Sequence, residues 1–422
     1  MTAAEIAEGE QPVRLTTARL VFVLMVVLLN TTSLGIVSPV LPLLVKQLVH
    51  GDPAHATQHA AEAIGVFAAA WALMQLLFAP VFGVLSDRFG RRPVAIFAMA
   101  ELSLDYVIMA LAPTLSWLFV GRLFSGMAAA GRAAMFAYVA DVADDKDRTR
   151  YFGLLAAAGG IGTVLGPAVG GLFGAISPRA PFWVAAIVGV FNAAYGFVVL
   201  KESLPASRRT PFSWLRANPF GALWILFEAK GLIPLALIMM LANIGLSAFT
   251  SIYVLYVNYR YHWGSGQAGL VLAAYAAANI ASQALLAGPA SRRLGERGAI
   301  VVSFLSGVIG MGLMALAVWP PLLWVGVVAV APVNIAIAAI QALRSKLVEP
   351  GEQGRLQGAM ISLAGVSGMI GPVAVAETFA WSIGPGAGLH LPGLSMLGGA
   401  GVFLLAILLA VVFLKPRGVR GA

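Results

Sequence analysis

Glu101 and Asp105 stand four residues apart in one apolar stretch, and Arg122 and Arg132 stand in the next. A spacing of four puts both carboxylates on one face of a helix. The chemistry such groups can do is proton binding. A carboxylate's proton affinity falls beside a guanidinium and rises where water is excluded, so moving it between the two settings loads and unloads a proton. The stretches are separated by a turn near residues 113–116. Asp105 lies ten residues before its centre and Arg122 seven after, while Glu101 lies fourteen before and Arg132 seventeen after. At a rise of 1.5 Å per residue each mismatch is about 4.5 Å. Asp105–Arg122 and Glu101–Arg132 are therefore expected to form level pairs, either a proton-coupling ladder or a permanent set of ion pairs that only fixes the hairpin. Glu377 is a third candidate acid, with the alternative that it reaches to the outer interface.

These groups need elements that hold them at depth in an apolar medium. The 422 residues are 60% hydrophobic and 11% charged, with no cysteine, against a charged share of roughly a quarter in soluble domains. That composition describes a polytopic membrane protein and excludes disulfides and thiolate chemistry. Runs of spanning length, ~17 to 25 residues, fall at about 18–48, 62–85, 94–113, 117–140, 151–176, 181–200, 231–257, 265–290, 298–318, 321–343, 356–381 and 393–414, with each boundary good to ~2 to 4 residues. The expected fold is all-α, with twelve transmembrane helices in two parallel six-helix repeats around a central cavity. A 205-residue offset carries Gly83 onto Gly288, Gly153 onto Gly358, Gly166 onto Gly371 and Pro167 onto Pro372. Parallel repeats of this kind build many secondary transporters, with the substrate between the halves. The organisation follows as a cytoplasmic tail (1–17), a first half (18–200), a cytoplasmic linker (201–230), a second half (231–414) and a tail (415–422).

With both termini cytoplasmic, 22 of the 27 Lys and Arg fall inside, Lys46, Arg179 and Arg260 fall outside, and Arg122 and Arg132 lie within the membrane. That bias sets orientation, so the net charge of +9 gives no reason to expect nucleic acid. A multi-pass inner-membrane protein is expected, as a monomer with the lipid bilayer around it. The linker stretch from Phe212 to Phe227 fits either an amphipathic surface helix or an irregular connection.

Between the second and third spans the chain reads Gly83-Val84-Leu85-Ser86-Asp87-Arg88-Phe89-Gly90-Arg91-Arg92-Pro93. Gly83 and Gly90 permit a tight reversal, and Asp87, Arg88, Arg91 and Arg92 place charge at the inner mouth. Asp141 is in range of one of these arginines, so the cluster is a candidate gate latch. Polar residues at membrane depth, Asn30, Gln75, Asn243, Asn279, Gln283, Asn334 and Gln341, could line a cavity with Tyr138, Phe249 and Tyr253, giving apolar walls with sparse polar groups suited to a medium-sized organic molecule. Arg132, if Glu101 does not fully neutralise it, favours an anionic or zwitterionic compound. All five histidines fall outside the spans; His50, His55 and His59 are spaced by five and four without cysteine, which is read as a solvated loop and not as a metal site. No nucleophile–base or metal-ligand set occurs at depth, so neither enzyme activity nor a cofactor is expected.

The 83–93 segment resembles the signature loop of the major facilitator superfamily at every fixed position. In the fifth span, Gly162, Gly166, Pro167, Gly170 and Gly171 resemble the glycine-rich motif of its drug:proton antiporters, and small faces of this kind allow close helix packing. Leu34 to Pro42, Trp71 to Gln75, Ser103 to Tyr106, Gly121 to Gly126 and Gly354 to Gly358 are similar to the tetracycline efflux branch. The resemblance implies functional roles for Asp105 and Arg122 and a substrate contact at Gln75. It departs at Asn30 and Gly307, where that branch carries acids. Proton-driven efflux of a drug-like compound is the expected function. The alternatives are proton-coupled uptake of a metabolite or organic anion, or a receptor or scaffold that does not transport.

Overall fold

The computed structural model describes residues 17–49, 52, 55–131, 138, 141, 148–214, 217–228, 231–349 and 352–414. Among them there is no strand. A bilayer favours this, because a span without water must satisfy its own backbone donors and acceptors. The first half contains α1 (Thr17–Val37), α2 (Leu41–Leu48), α3 (Ala56–Phe89), α4 (Arg91–Leu111), α5 (Leu115–Ala130), α6 (Arg148–Ile176) and α7 (Ala180–Val199). The second contains α8 (Leu232–Thr250), α9 (Tyr253–Tyr261), α10 (Ser265–Leu316), α11 (Pro320–Val330), α12 (Val333–Ser345), α13 (Gln353–Ile383) and α14 (Leu394–Phe413). Ten segments are long and apolar enough to cross a membrane; α10 is two crossings joined at Gly295 (φ 67°), and the shorter α5 is another, which makes twelve among the described residues.

Three crossings are interrupted, α1–α2, α8–α9 and α11–α12. Pro42 begins α2 and Pro332 caps α12, and a proline has no N–H to continue the ladder. The α8–α9 break has no proline. There Ser247 Oγ donates to the Ile244 carbonyl (2.6 Å) and Thr250 Oγ1 to the Leu246 carbonyl (3.3 Å), bonds that bend a helix by competing with its backbone.

The halves meet along two seams, α6 against the first part of α10 and α3 against α13. Glycines make both close. A Cβ on Gly171 would stand 2.8 Å from the Ser265 carbonyl oxygen and 3.1 Å from Gly269 Cα, and one on Gly65 would stand 2.7 Å from Ala376 Cβ. The adjacent face of α6 serves its own half. A Cβ on Gly166 would lie 2.6 Å from Gly35 Cα, one on Gly162 would strike Thr31 of α1, and one on Gly170 would strike the Ile36 carbonyl. Contact is tightest at the end away from the charged turns, where Lys46 Nζ also donates to Asn258 Oδ1 across the halves (2.8 Å). The halves are thus in contact at that far end, whereas toward the charged end Gly83 and Gly153 face nothing within 4 Å.

The charged segment is not an extended turn. Helix α3 continues to Phe89, and Gly90 alone reverses the chain, at φ 105°. The first outer loop is likewise shorter than expected, because α3 begins at Ala56 in an alanine-rich sequence with high helix propensity. Glu202, the second residue of the linker, accepts from the backbone N–H groups of Arg91 (2.8 Å) and Arg92 (3.3 Å). It satisfies two of the orphan donors that start α4. We expect Glu202→Ala to lower unfolding stability by about 1 kcal/mol, read as a reduced midpoint in detergent.

The linker is mostly irregular, with short 3-10 turns and one α turn at Ile225–Glu228. Its first part is tied to the first half: Thr210 N–H donates to the Asp87 carbonyl (3.1 Å) and Ser203 Oγ to Asp141 Oδ2 (3.3 Å). Its last part is tied to the second half, where Ser362 donates to the Pro219 carbonyl, Arg355 pairs with Glu228 (2.9 Å), and Ile225 and Leu226 pack with Leu356 and Met360.

Candidate functional site

A cavity of about 330 Å³ sits where α1, α2, α3, α4, α5 and the α8–α9 break converge. Its walls are apolar along α1, α2 and α3, with Phe67 and Trp71 the bulky groups; Ser38, Tyr106, Arg122, Ser125, Thr250 and Ser251 supply the polar atoms. Ser38 and Ser251 lie in the two helix breaks. Interrupted helices free backbone groups where a ligand can use them, which is why transporter sites gather there.

Arg122 lines this cavity, and its guanidinium lies 5.8 Å from the Trp71 ring centroid, within range of a cation–π interaction. Asp105 stands behind it at 0% exposure, beside Arg122 and Ser125. Gly121 makes the approach possible, since a Cβ there would lie 3.1 Å from Asp105 Oδ1 and 2.7 Å from Met109 Cγ. Even so, no ion pair closes between Asp105 and Arg122 within 4.0 Å, and neither Asp105 oxygen has a hydrogen-bond partner among the described residues. This is a carboxylate and a guanidinium held near each other, with the carboxylate buried and its oxygens left open to a proton.

Glu101 lies half-buried one turn earlier on α4, and both its oxygens are enclosed without a hydrogen-bond partner among the described residues. Arg132, its expected partner, lies outside the described residues. Glu377 is exposed on α13, far along the chain from this cluster.

The remaining expected site residues divide. Asn30 and Gln75 are partly buried on α1 and α3, and Gln75 follows the cavity residue Trp71 by one turn. Asn279 donates to the Ala331 carbonyl (3.2 Å) at the α11–α12 break and accepts from Gln283 (2.6 Å). Nearby, Asn334 donates to Tyr275 Oη (3.3 Å). Asn279 and Asn334 thus tie α10 to the α11–α12 crossing in this conformation. Phe249 and Tyr253 are 0% and 1% exposed, with their rings tilted against each other at 4.9 Å between centroids. Tyr138 is 2% exposed in a cluster with Phe82 and Met99. The cavity wall itself uses Trp71, Tyr106, Ser125, Thr250 and Ser251, which composition does not single out. Pro39 and Pro42 in the first crossing are a signal from which half of it could have been found; the α8–α9 break, lacking proline, carries none.

At the charged end, Arg91 gathers the latch candidates. Its Nη1 meets Asp87 Oδ1 (2.5 Å) and Ser86 Oγ (3.0 Å), and its Nε meets Asp141 Oδ2 (3.1 Å), with the arginine side chain only 14% exposed. Arg92 donates to the Phe197 carbonyl (2.7 Å), while Arg88 lies over the Phe89 ring (5.2 Å). Among the histidines, His55 faces Asp52 and His59 faces Glu62, each at 3.2 Å. His50 lies outside the described residues.

A sequence model described as the Major Facilitator Superfamily matches residues 23–372 and, in an overlapping placement, 235–421. The chain is 35% identical over 402 residues to the class C tetracycline resistance protein of Escherichia coli, covering 92% of this chain and 95% of that protein. It is 32% identical over 405 residues to the class H tetracycline resistance protein of Pasteurella multocida, covering 94% and 96%. In fold it is similar to a bacterial homolog of the human lysosomal transporter Spinster, solved inward-facing and occupied, with a TM-score of 0.75, 15% identity, and 96% and 97% of the two chains covered.

Proposed function

The chain belongs to the Major Facilitator Superfamily, and on that premise we propose that it exports a drug-like organic compound in exchange for protons by alternating access. Asp105 carries the proton, and the cavity beside Arg122 takes the substrate. The observation that carries this reading is the fully buried Asp105 carboxylate, which has no ion pair within 4.0 Å although Arg122 is its neighbour. A permanent structural pair would be closed, because burying two charges costs several kcal/mol unless their geometry repays it. A pair left open is one a proton can switch.

The substrate would be an apolar body with one acidic or zwitterionic group to meet Arg122, sized for a pocket at the small end of the drug-binding range. Relatives named for tetracycline resistance support efflux. The position where the tetracycline branch has its ninth-span acid is closed here, since a Cβ on Gly307 would lie 2.7 Å from Val333 Cγ2 and 2.9 Å from Phe403. Coupling therefore falls to the acids of α4, and tetracycline itself need not be the substrate. The latch of Asp87, Arg88, Arg91, Arg92 and Asp141, together with Gly83 and Gly90, would close the charged end in the other half of the cycle. Its basic excess makes that end cytoplasmic, in a bacterial inner membrane, with the halves at 18–200 and 231–414 rocking about the cavity as a monomer.

The test is proton flux. Purified protein in vesicles under an imposed pH gradient should release or take up protons when a compound from a chemically varied panel is added. Ligand binding without flux, for every compound bound, would refute coupled export.

A further inference from the structure

The second charged turn copies the first with the signs of its ion pair exchanged. Under the 205-residue offset Asp87 falls on Arg292, Arg91 on Glu296 and Asp141 on Lys346. The geometry is kept: Gly90 and Gly295 both turn at positive φ, 105° and 67°. The ion pair is kept too, as Arg91–Asp141 at 3.1 Å in the first half and Glu296–Lys346 at 2.7 Å in the second. What is not kept is neutrality. In the first turn Asp87, Asp141 and Glu202 answer Arg88, Arg91 and Arg92. In the second, Arg292, Arg293, Arg297 and Lys346 face the single acid Glu296.

These four cations border a cleft of about 970 Å³ whose lining comes entirely from the second half, so it is separate from the cavity at Arg122. One wall is the apolar tip of α14, where Val411 and Phe413 are 46% and 56% exposed. Arg297 is committed to the Val411 carbonyl (2.8 Å) and Lys346 to Glu296. Arg292 and Arg293 are exposed and make no ion pair among the described residues. Two uncommitted guanidiniums above an apolar wall, at the membrane end of a helix bundle, ask for a ligand with an anionic head and an apolar tail. The chain's own C-terminus is unsuited to that place, because the charges following Leu414 are Lys415, Arg417 and Arg420, of the same sign.

We infer that this cleft binds an anionic phospholipid, its phosphate on Arg292 and Arg293 and its acyl chains along Val411 and Phe413. Guanidinium–phosphate recognition is strong and often bidentate, and basic pockets between helices at the cytoplasmic face suit such headgroups. In effect the lipid supplies the negative charge that Asp87 supplies in the first half.

Native mass spectrometry of the full chain in neutral detergent tests this, with phosphatidylglycerol, phosphatidylcholine and inorganic phosphate as probes. The wild type should retain phosphatidylglycerol in preference to phosphatidylcholine, and retention should weaken roughly fivefold for each cation removed in Arg292→Gln and Arg293→Gln. Arg292→Asp, which restores the charge of the first half, should lose the lipid most fully. Arg208→Gln with Arg209→Gln, in the linker, should retain it. Equal retention by wild type and the Arg292 and Arg293 variants, or equal retention of phosphatidylcholine, would overturn the proposal. Displacement of the lipid by inorganic phosphate at equal concentration would also overturn it, in favour of a free-anion site. Arg293 is a solvent-facing residue whose replacement by Gln leaves the helix intact, so the test survives if Arg292→Asp does not fold.

Discussion

Asp105→Asn will abolish uphill transport while downhill exchange of substrate continues. Asn has nearly the shape of Asp and keeps a polar group beside Ser125 and Arg122, so packing around Gly121 and Met109 is undisturbed. What it lacks is a titratable oxygen. If Asp105 is the group that the gradient loads and unloads, accumulation driven by a pH difference should fall by at least about 100-fold, the lower range for losing a positioned proton-transfer group. Counterflow with labelled substrate and no gradient should stay within a few-fold of wild type, and the pair of measurements separates coupling from binding. Gradient-driven accumulation surviving in the Asn variant would remove Asp105 from the mechanism and leave Glu101 as the remaining acid on α4.

Gly171→Val should trap the molecule in the opposite conformation without unfolding it. Gly171 faces Ser265 and Gly269 across the seam between halves, whereas Gly170, its neighbour, faces Ile36 within its own half. A side chain at 171 is therefore harmless when the halves part at the far end and intolerable when they close there. Overpacking of this kind costs about 1 to 3 kcal/mol, which moves a two-state equilibrium by roughly 5- to 150-fold. The chain has no cysteine, so a single Ser38→Cys reports which end is open through labelling with an impermeant maleimide. Wild type should label from the charged end, and the Gly171→Val background from the far end. Gly170→Val should instead fail as a folded protein. Indistinguishable labelling in the two backgrounds would mean that the α6–α10 seam is not where closure is decided.

The sequence made the outline of the molecule legible because the bilayer imposes it. Runs of apolar residues had to be helices, and glycine with charge had to mark the ends. Gly90 announced the first reversal, and the spacing about the 113–116 turn placed Asp105 near Arg122. The inside of the bundle was less legible. In water an apolar face points inward, but in lipid both faces are apolar, so pattern alone does not separate Phe249, fully buried, from Phe197, 64% exposed. For the same reason Tyr253 and Tyr138 resembled cavity residues although both are buried among packed side chains. Trp71 and Ser125, which do line the cavity, were marked only by the resemblance of the segments around them and not by their own chemistry. Glu202 was hidden differently. Its partners are backbone amides 110 and 111 positions away, and a bond to a backbone leaves no mark on the partner's residue type.

The linker carries a consequence for how far the molecule can gape. It is fastened to the first half at Thr210 and to the second at Pro219, and nine residues of chain reach at most about 30 Å when drawn straight. The two anchorages belong to opposite halves, so the intervening chain is a leash for as long as those hydrogen bonds hold. Parting the halves beyond that reach then first breaks the hydrogen bonds at Thr210 and Pro219, at about 1 kcal/mol each, so the linker adds its own resistance to wide opening.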